Sequence, residues 1–350
     1  MGVLIDAHCH SVVAGDLDRE AFERWCTEAD APAPGGASLA VRRWCPPALD
    51  LPAHAPVEEY VVGRAALGWR EATARLMRAA GLGALLVDTG LDGLLDLAEF
   101  GALAGTPVRE VVRLERVAED VGAGAGVAGF VRAYEDRLAT RVRDAIAVKS
   151  IIAYRHGLDI PAERPSTVEV QRAADGWLRA GGGRLTDPVL LRYVLWAGVD
   201  TGLPLQLHTG FGDRDLPLRA ADPELAQPLL AAVRVPVVLL HCYPYHRQAG
   251  WLALVYPHVY ADVGLTMTHV GARAAAVLGE FCELVPFGKL LFSTDAYGLP
   301  ELYLTGAAQF RHALARLLDA WVRDDALSTV DAERAAAAIG GGNAARLYGL

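Results

Sequence analysis

The sequence predicts an α/β protein built as a (β/α)8 barrel of the TIM type. Eight short apolar runs recur along the chain, separated by stretches of helical period. The runs are apolar at nearly every position, as strands of a parallel sheet buried on both faces are. No Gly-x-Gly-x-x-Gly follows the first run, so the signature of a doubly wound open sheet is missing. At 350 residues and 53% hydrophobic, the chain reads as a single domain over 1–350. About 250 residues suffice for such a barrel. The surplus falls in an insert after the first strand, 11–82, and in C-terminal helices, 305–350.

The first strand, Val3-Leu4-Ile5, runs into Asp6-Ala7-His8-Cys9-His10. Alternation of side chains puts His8 and His10 on one face and Cys9 on the other. In the insert, Leu17 to Glu28 has helical spacing with Asp16 as the N-cap candidate. Residues 30–56 hold Pro32, Pro34, Gly35, Gly36, Pro46, Pro47, Pro52 and Pro56 and read as a structureless lid or binding loop. Val57 to Ala80 returns to helical period, and Trp25, Trp44 and Trp69 are assigned to packing. Strand two is Gly83–Thr89 and strand three Val108–Glu115, followed by a helix from about Gly126 to Asp144. Strand four is Ala147–Arg155, with a helical region to about Gly181. Leu203–Thr209, Pro236–His241, His258–Val263 and Lys289–Asp295 complete the eight.

The net charge of -9 and the lack of any Lys/Arg run argue against nucleic acid as a partner. No apolar run reaches the roughly 18 residues of a membrane span. Polar residues interrupt the N-terminus before a signal region can form, so a cytoplasmic location is expected. Cys9, Cys26, Cys45, Cys242 and Cys282 form no Cys-x-x-Cys pair and read as free thiols. Cys9 and Cys242 are poor ligand candidates, because each should face away from a neighbouring histidine.

In a barrel of this kind the C-terminal ends of the strands carry the chemistry. Here strand one ends in His8 and His10, strand five in His208, strand six in His241 and strand eight in Asp295. Singly, each could be a satisfied core residue. Together they form an imidazole and carboxylate set suited to Zn, Mn or Fe. Lys149 lies on strand four and, by alternation, shares a face with Ile151, Ala153 and Arg155. Asp213, Tyr243, His246, Arg155 and His156 fall on the same rim as candidate substrate contacts. Arg155 suits a carboxylate and Asp213 an ammonium. Tyr297, Glu301 and Asp262 are assigned structural roles. His54, His258, His269 and His312 lie off the strand ends and are not taken as ligands.

With these residues in place the chain resembles the amidohydrolase superfamily, whose pattern is His-x-His, a strand-four Lys or Glu, two further His and a final Asp. Leu207–Asp213, Leu240–His246, Ser293–Ala296 and Gly342–Gly349 resemble the amidohydrolase domain of FluG-type proteins. The run Lys149–Tyr154 is similar to the strand of hydantoinase-type members. That likeness implies a carbamylated Lys149 bridging two divalent ions, favoured over one, with zinc as the first choice. It also implies that Tyr154 donates to an oxyanion, and the superfamily resemblance implies that Asp295 both ligates metal and shuttles a proton. The resemblance points to hydrolysis of the C–N bond of a small amino-acid-derived amide, such as a γ-glutamyl amide. A mononuclear decarboxylase or lactonase is the alternative within the superfamily. A non-catalytic regulatory partner of nitrogen metabolism is the alternative outside catalysis. The expected partner is a small-molecule substrate, and a homodimer is compatible with barrels of this kind.

Overall fold

The structure, a computed structural model, describes residues 2–30, 34–124 and 129–350. Eight parallel strands follow one another around a barrel: β1 Leu4–Cys9, β2 Leu82–Asp88, β3 Val108–Arg113, β4 Ala147–Ser150, β5 Leu205–His208, β6 Val237–Leu240, β7 Val259–Asp262 and β8 Leu290–Leu291. Each pairs in parallel with the next. Closure comes from the segment after β8, which hydrogen-bonds to β1. Ala7 N–H donates to Phe292 O (3.1 Å), Asp295 N–H to His8 O (3.0 Å) and His10 N–H to Ala296 O (2.7 Å). No described helix is long and apolar enough to cross a membrane.

Two layers of packing surround the sheet. Inside the barrel, Ala7, Leu86, Val111, Val238, Leu240 and Leu291 pack with Tyr348 from the C-terminal helix Asn343–Tyr348. Outside, strand residues such as Leu85, Val112, Val148 and Leu239 pack against the helices. The register of β1 against β2 slips between Asp6 and Cys9, where β1 carries an extra residue. Such a bulge re-aims side chains locally. It lets Ala7 join the interior cluster while His8, the very next residue, joins the polar cluster at the mouth.

Several boundaries differ from the sequence expectation, among them the last strand, which is Leu290–Leu291 and not Lys289–Asp295. Strand four stops at Ser150 because buried Glu115 accepts hydrogen bonds from Ser150 Oγ (2.6 Å) and Ile151 N–H (3.0 Å). The chain then makes a helical turn, Ile152–Arg155, so the alternation that grouped Lys149 with Ile151, Ala153 and Arg155 does not hold. The supposed loop 30–56 contains a helix, Gly36–Trp44, and a 3-10 turn, Pro46–Leu49. Gly36 permits close approach to the backbone of His269, where a Cβ would collide. The first helix is Arg19–Trp25, capped by Asp18 and not Asp16. The stretch 57–80 is two helices, Val57–Leu67 and Trp69–Ala80, broken at Gly68 with φ of 77°.

Elsewhere the helices follow the pattern with shifted ends. The helix expected over 126–144 is Phe130–Arg141, and residues 126–128 lie outside the described residues. The region reaching to about Gly181 holds the helix Thr167–Arg179. The C-terminal helices begin at Pro300, with Pro300–Arg323. Glu301 at its start is fully buried, bound by Arg64 Nε (2.7 Å) and Tyr60 Oη (2.9 Å) from the insert.

Candidate metal centre and catalytic cavity

At the C-terminal mouth the strands converge their polar ends. His8 on β1 lies with Nε2 2.8 Å from Lys149 Nζ of β4 and 3.2 Å from Asp295 Oδ1. His10 Nε2 and His241 Nε2 are each 3.6 Å from the Asp295 carboxylate. The rings of His8 and His10 are 5.2 Å apart, and those of His208 and His241 4.7 Å. Ligand-type atoms of His8, His241 and Asp295 fall within 4.8 Å of one another, as do those of His8, His10 and Asp88.

The outer contacts fix which nitrogen faces the site. His8 Nδ1 meets Gln206 Oε1 at 2.8 Å, an acceptor, so His8 carries its proton on Nδ1 and offers the Nε2 lone pair. Gln206 is itself held, its amide donating to Ala7 O (2.8 Å) and Tyr348 Oη (2.8 Å). His10 Nδ1–H donates to the Asp88 carbonyl (3.1 Å). His208 Nε2 and both ring nitrogens of His241 are buried with no hydrogen-bond partner among the described residues. Buried unpaired nitrogens are costly, and a cation is what this donor set fits.

Burial sets the charge states. It pushes His8 down to about 3, helped by the Lys149 charge, and His241 down to about 4. His208 is also driven well below the usual range by burial and then by His241. These three imidazoles are therefore neutral near pH 7, the form that ligates. Burial alone would raise Asp295, but His241, His10 and His8 around it outweigh that and hold it well below the usual range. Burial also lowers Lys149, against the opposing pull of Asp88 at 3.2 Å. Asp88 itself stays ionised, because Arg113 and Lys149 outweigh its burial.

A cavity of about 500 Å³ opens from these residues. Tyr154 packs its ring on His208 (4.6 Å) and lines the cavity. Its hydroxyl stays protonated, pushed up by burial and then by Asp213. Arg155 lines it too; Nη2 meets Glu119 at 3.0 Å, while Nε and Nη1 are buried without a partner among the described residues. Asp213 sits exposed at the rim, accepting from Asp215 N–H (2.9 Å). The structure does not bring Tyr243 and His246 to this cavity. The backbone turns left-handed at His241 and Cys242 (φ 65° and 64°), and the following loop packs on the helix Ala274–Phe281 instead. Tyr243 there stacks on His246 (5.4 Å, 13°), and His246 meets Glu280 at 2.9 Å.

Asp88, Arg113 and Gln206 belong to the site and were not singled out from sequence. Asp88 ends strand two as the histidines end theirs, and Gln206 is a polar residue inside an apolar strand, so both carried a signal. Asp262 has the structural role expected of it, accepting from Gly264 N–H (2.8 Å), Ser293 Oγ (2.9 Å) and His241 N–H (3.4 Å).

Comparison with known proteins agrees with the barrel fold. A protein of Lactobacillus casei ATCC 334, provisionally described as a metal-dependent hydrolase, has a similar structure. The TM-score is 0.85 with 30% identity, covering 99% of this chain and 95% of that one. A uronate isomerase from Thermotoga maritima shares the fold, with a TM-score of 0.63 at 13% identity, over 99% of this chain and 94% of the other. Protein fluG of Emericella nidulans is 35% identical over an alignment 276 positions long that covers 73% of this chain. The match spans 32% of the length of the fungal protein. The amidohydrolase family model matches residues 5–350, strand one to the C-terminus, and the chain belongs to that family.

Proposed function

We propose that the protein is a metal-dependent amide hydrolase acting on the C–N bond of a small amino-acid-derived substrate, with γ-glutamyl amides as the leading class. The observation that carries this reading is the set of buried, unpartnered nitrogens of His208 and His241 beside the Asp295 carboxylate. Imidazole and carboxylate donors suit zinc first, with manganese or iron as alternatives. A divalent ion held by these residues would supply Lewis acidity toward the amide carbonyl and make water reactive near neutral pH.

Asp295 is ionised and can accept a proton. It takes one from water as the water oxygen bonds to the carbonyl carbon. It returns that proton to nitrogen as the C–N bond breaks, so the amine leaves neutral. Tyr154 donates its hydroxyl to the carbonyl oxygen as charge develops there. Arg155 offers its two unpartnered donors to a substrate carboxylate. Asp213, exposed at the rim, attracts a substrate ammonium.

The number of ions turns on Lys149. As an amine favoured by burial it can attack carbon dioxide, forming an N–C bond and losing one proton to become an anionic carbamate. That product would bridge two ions. A mononuclear site, as in the decarboxylase or lactonase reading, is favoured by one observation, the 3.2 Å ion pair between Lys149 and Asp88. A purely regulatory protein would have no use for buried ligand atoms kept without partners. Metal content per chain, with intact mass, tests the proposal. Two equivalents with a mass increment of one carbon dioxide, both lost in Lys149→Ala, are expected. One equivalent, unchanged by that substitution, would move the assignment to the mononuclear reading. No metal after reconstitution would overturn both.

A further inference from the structure

The insert after β1 reaches into the catalytic cavity. Trp25, at the end of the helix Arg19–Trp25, packs on Tyr297 (5.7 Å) and so closely on Gly298 that a Cβ there would enter its ring. Tyr297 Oη donates to Thr27 O (3.1 Å). Gly298 in turn is tied to the start of the insert, its N–H donating to Ser11 O (3.0 Å) and its carbonyl accepting from Val13 N–H (2.9 Å). The insert is thereby pinned to the loop that carries Asp295. The residue this delivers to the cavity wall is Glu28.

The charges around the cavity leave Glu28 free to bind a cation. Among the cavity cations, Arg113 and Lys149 are taken up by Asp88, Arg116 by Asp92 and Asp120, and Arg184 by Asp215. Arg155 alone has two buried donors to spare, with its side chain only 10% exposed. Among the cavity carboxylates, Glu28 and Asp213 have no cationic partner among the described residues. Burial and the charges of Asp295 and Asp213 push Glu28 up to about 7, as expected of a carboxylate that lacks a counter-charge. The cavity thus presents one cation with donors to spare beyond its contact with Glu119, and two carboxylates without a cationic partner among the described residues, in a volume suited to a molecule of amino-acid size.

We propose that Glu28 is a specificity residue that binds the cationic group of a zwitterionic substrate, whose carboxylate is held by Arg155. The inference rests on the placement of a substrate carboxylate at Arg155 argued above. Glu28 takes the ammonium, and Asp213 at the rim adds a weaker, water-screened attraction.

Calorimetry on the metal-loaded full-length protein tests this with three probes: L-glutamate, glutarate without the ammonium, and 4-aminobutyrate without the second carboxylate. L-Glutamate is expected to bind about tenfold more tightly than either, the scale of one charge-assisted hydrogen bond. Glu28→Gln should reduce L-glutamate to the affinity of glutarate while glutarate itself is not weakened. Arg155→Met should reduce L-glutamate to the affinity of 4-aminobutyrate. Equal binding of L-glutamate and glutarate by the unaltered protein would overturn the proposal, as would equal loss of both in Glu28→Gln, or no binding of any probe. The comparison on the unaltered protein stands even where a variant fails to fold. Intact discrimination without turnover of a γ-glutamyl amide would sink the hydrolase reading and leave the subsite standing.

Discussion

Replacement of Gln206 asks whether the metal site is held from behind. Gln206 is fully buried and makes three contacts at 2.8 Å, to His8 Nδ1, Ala7 O and Tyr348 Oη. Gln206→Leu keeps most of the volume but leaves the His8 N–H, the Ala7 carbonyl and the tyrosine hydroxyl unpaired. At about 1–3 kcal/mol for each unsatisfied buried group, with partial relaxation, the metal-free protein should lose roughly 2–5 kcal/mol. Free of its acceptor, the His8 ring can rotate or change tautomer, and metal affinity should fall about 10–100-fold. Gln206→Glu separates orientation from packing. A carboxylate still accepts from His8 Nδ1–H, and the Tyr348 hydroxyl can turn to donate to it; only the bond to Ala7 O is lost. Metal affinity in Gln206→Glu should therefore stay within a few-fold of the unaltered protein. Competition against a chelating dye measures the affinity, and urea titration the stability. Equal weakening of metal binding in both variants, or none in Gln206→Leu, would refute the orienting role.

Three further outcomes follow from single residues. Asp295→Asn should keep the fold and lose about 10²–10⁴-fold in kcat; turnover near that of the unaltered protein would remove Asp295 from proton transfer. Arg64→Met leaves the fully buried Glu301 without its cation, at 2.7 Å in the native chain, and should lower stability by about 3–5 kcal/mol in urea titration. A loss under about 1 kcal/mol would show that Glu301 takes up a proton or is reached by water. Glu28, raised from 4.5 to about 7, binds more protons folded than unfolded across that window. Stability therefore falls as pH rises from about 4.5 through 7. Glu28→Gln should flatten that limb of a Tm–pH profile, and an unchanged profile would show that Glu28 is not destabilised in the fold.

How far the sequence spoke depends on where the determining contact lies. Strands buried on both faces leave near-continuous apolar runs, so β1, β2, β3, β5, β6 and β7 could be found by composition alone. The ends of β4 and β8 could not. Ser150 and Ile151 look like strand residues until the distant Glu115 captures them, and nothing within Ala147–Arg155 announces it. The helix Gly36–Trp44 was hidden by its Gly- and Pro-rich surroundings. His8, His10, His208, His241 and Asp295 were legible because each closes an apolar run, and Lys149 because the run around it resembles a known strand; the structure draws all six together. Tyr243 and His246 follow the same rule in sequence but lie outside the cavity, since two left-handed residues redirect the chain after β6. The spare donors of Arg155 are a property of what surrounds it, and no local pattern could reveal them.

Those left-handed residues also explain why fully buried aspartates sit behind the ligands. His241, Cys242 and Asp295 adopt φ of 65°, 64° and 51°, each costing about 1–2 kcal/mol for a residue with a Cβ. Such a conformation persists only where neighbouring contacts leave no alternative. Asp262 bonds the backbone of His241 and Gly264, and Thr266 Oγ1 donates to His241 O (2.8 Å), locking the turn after β6. Asp6 accepts from both the backbone and the hydroxyl of Thr294, at 2.9 and 2.5 Å, locking the residue before Asp295. Asp295 N–H then donates to His8 O, one of the bonds that close the barrel. The carboxylate proposed to move the proton is therefore placed by barrel closure itself. A displacement of Asp295 must disturb the β1 seam, which is the physical reason a ligand can be held in a strained backbone without drifting from the other ligands.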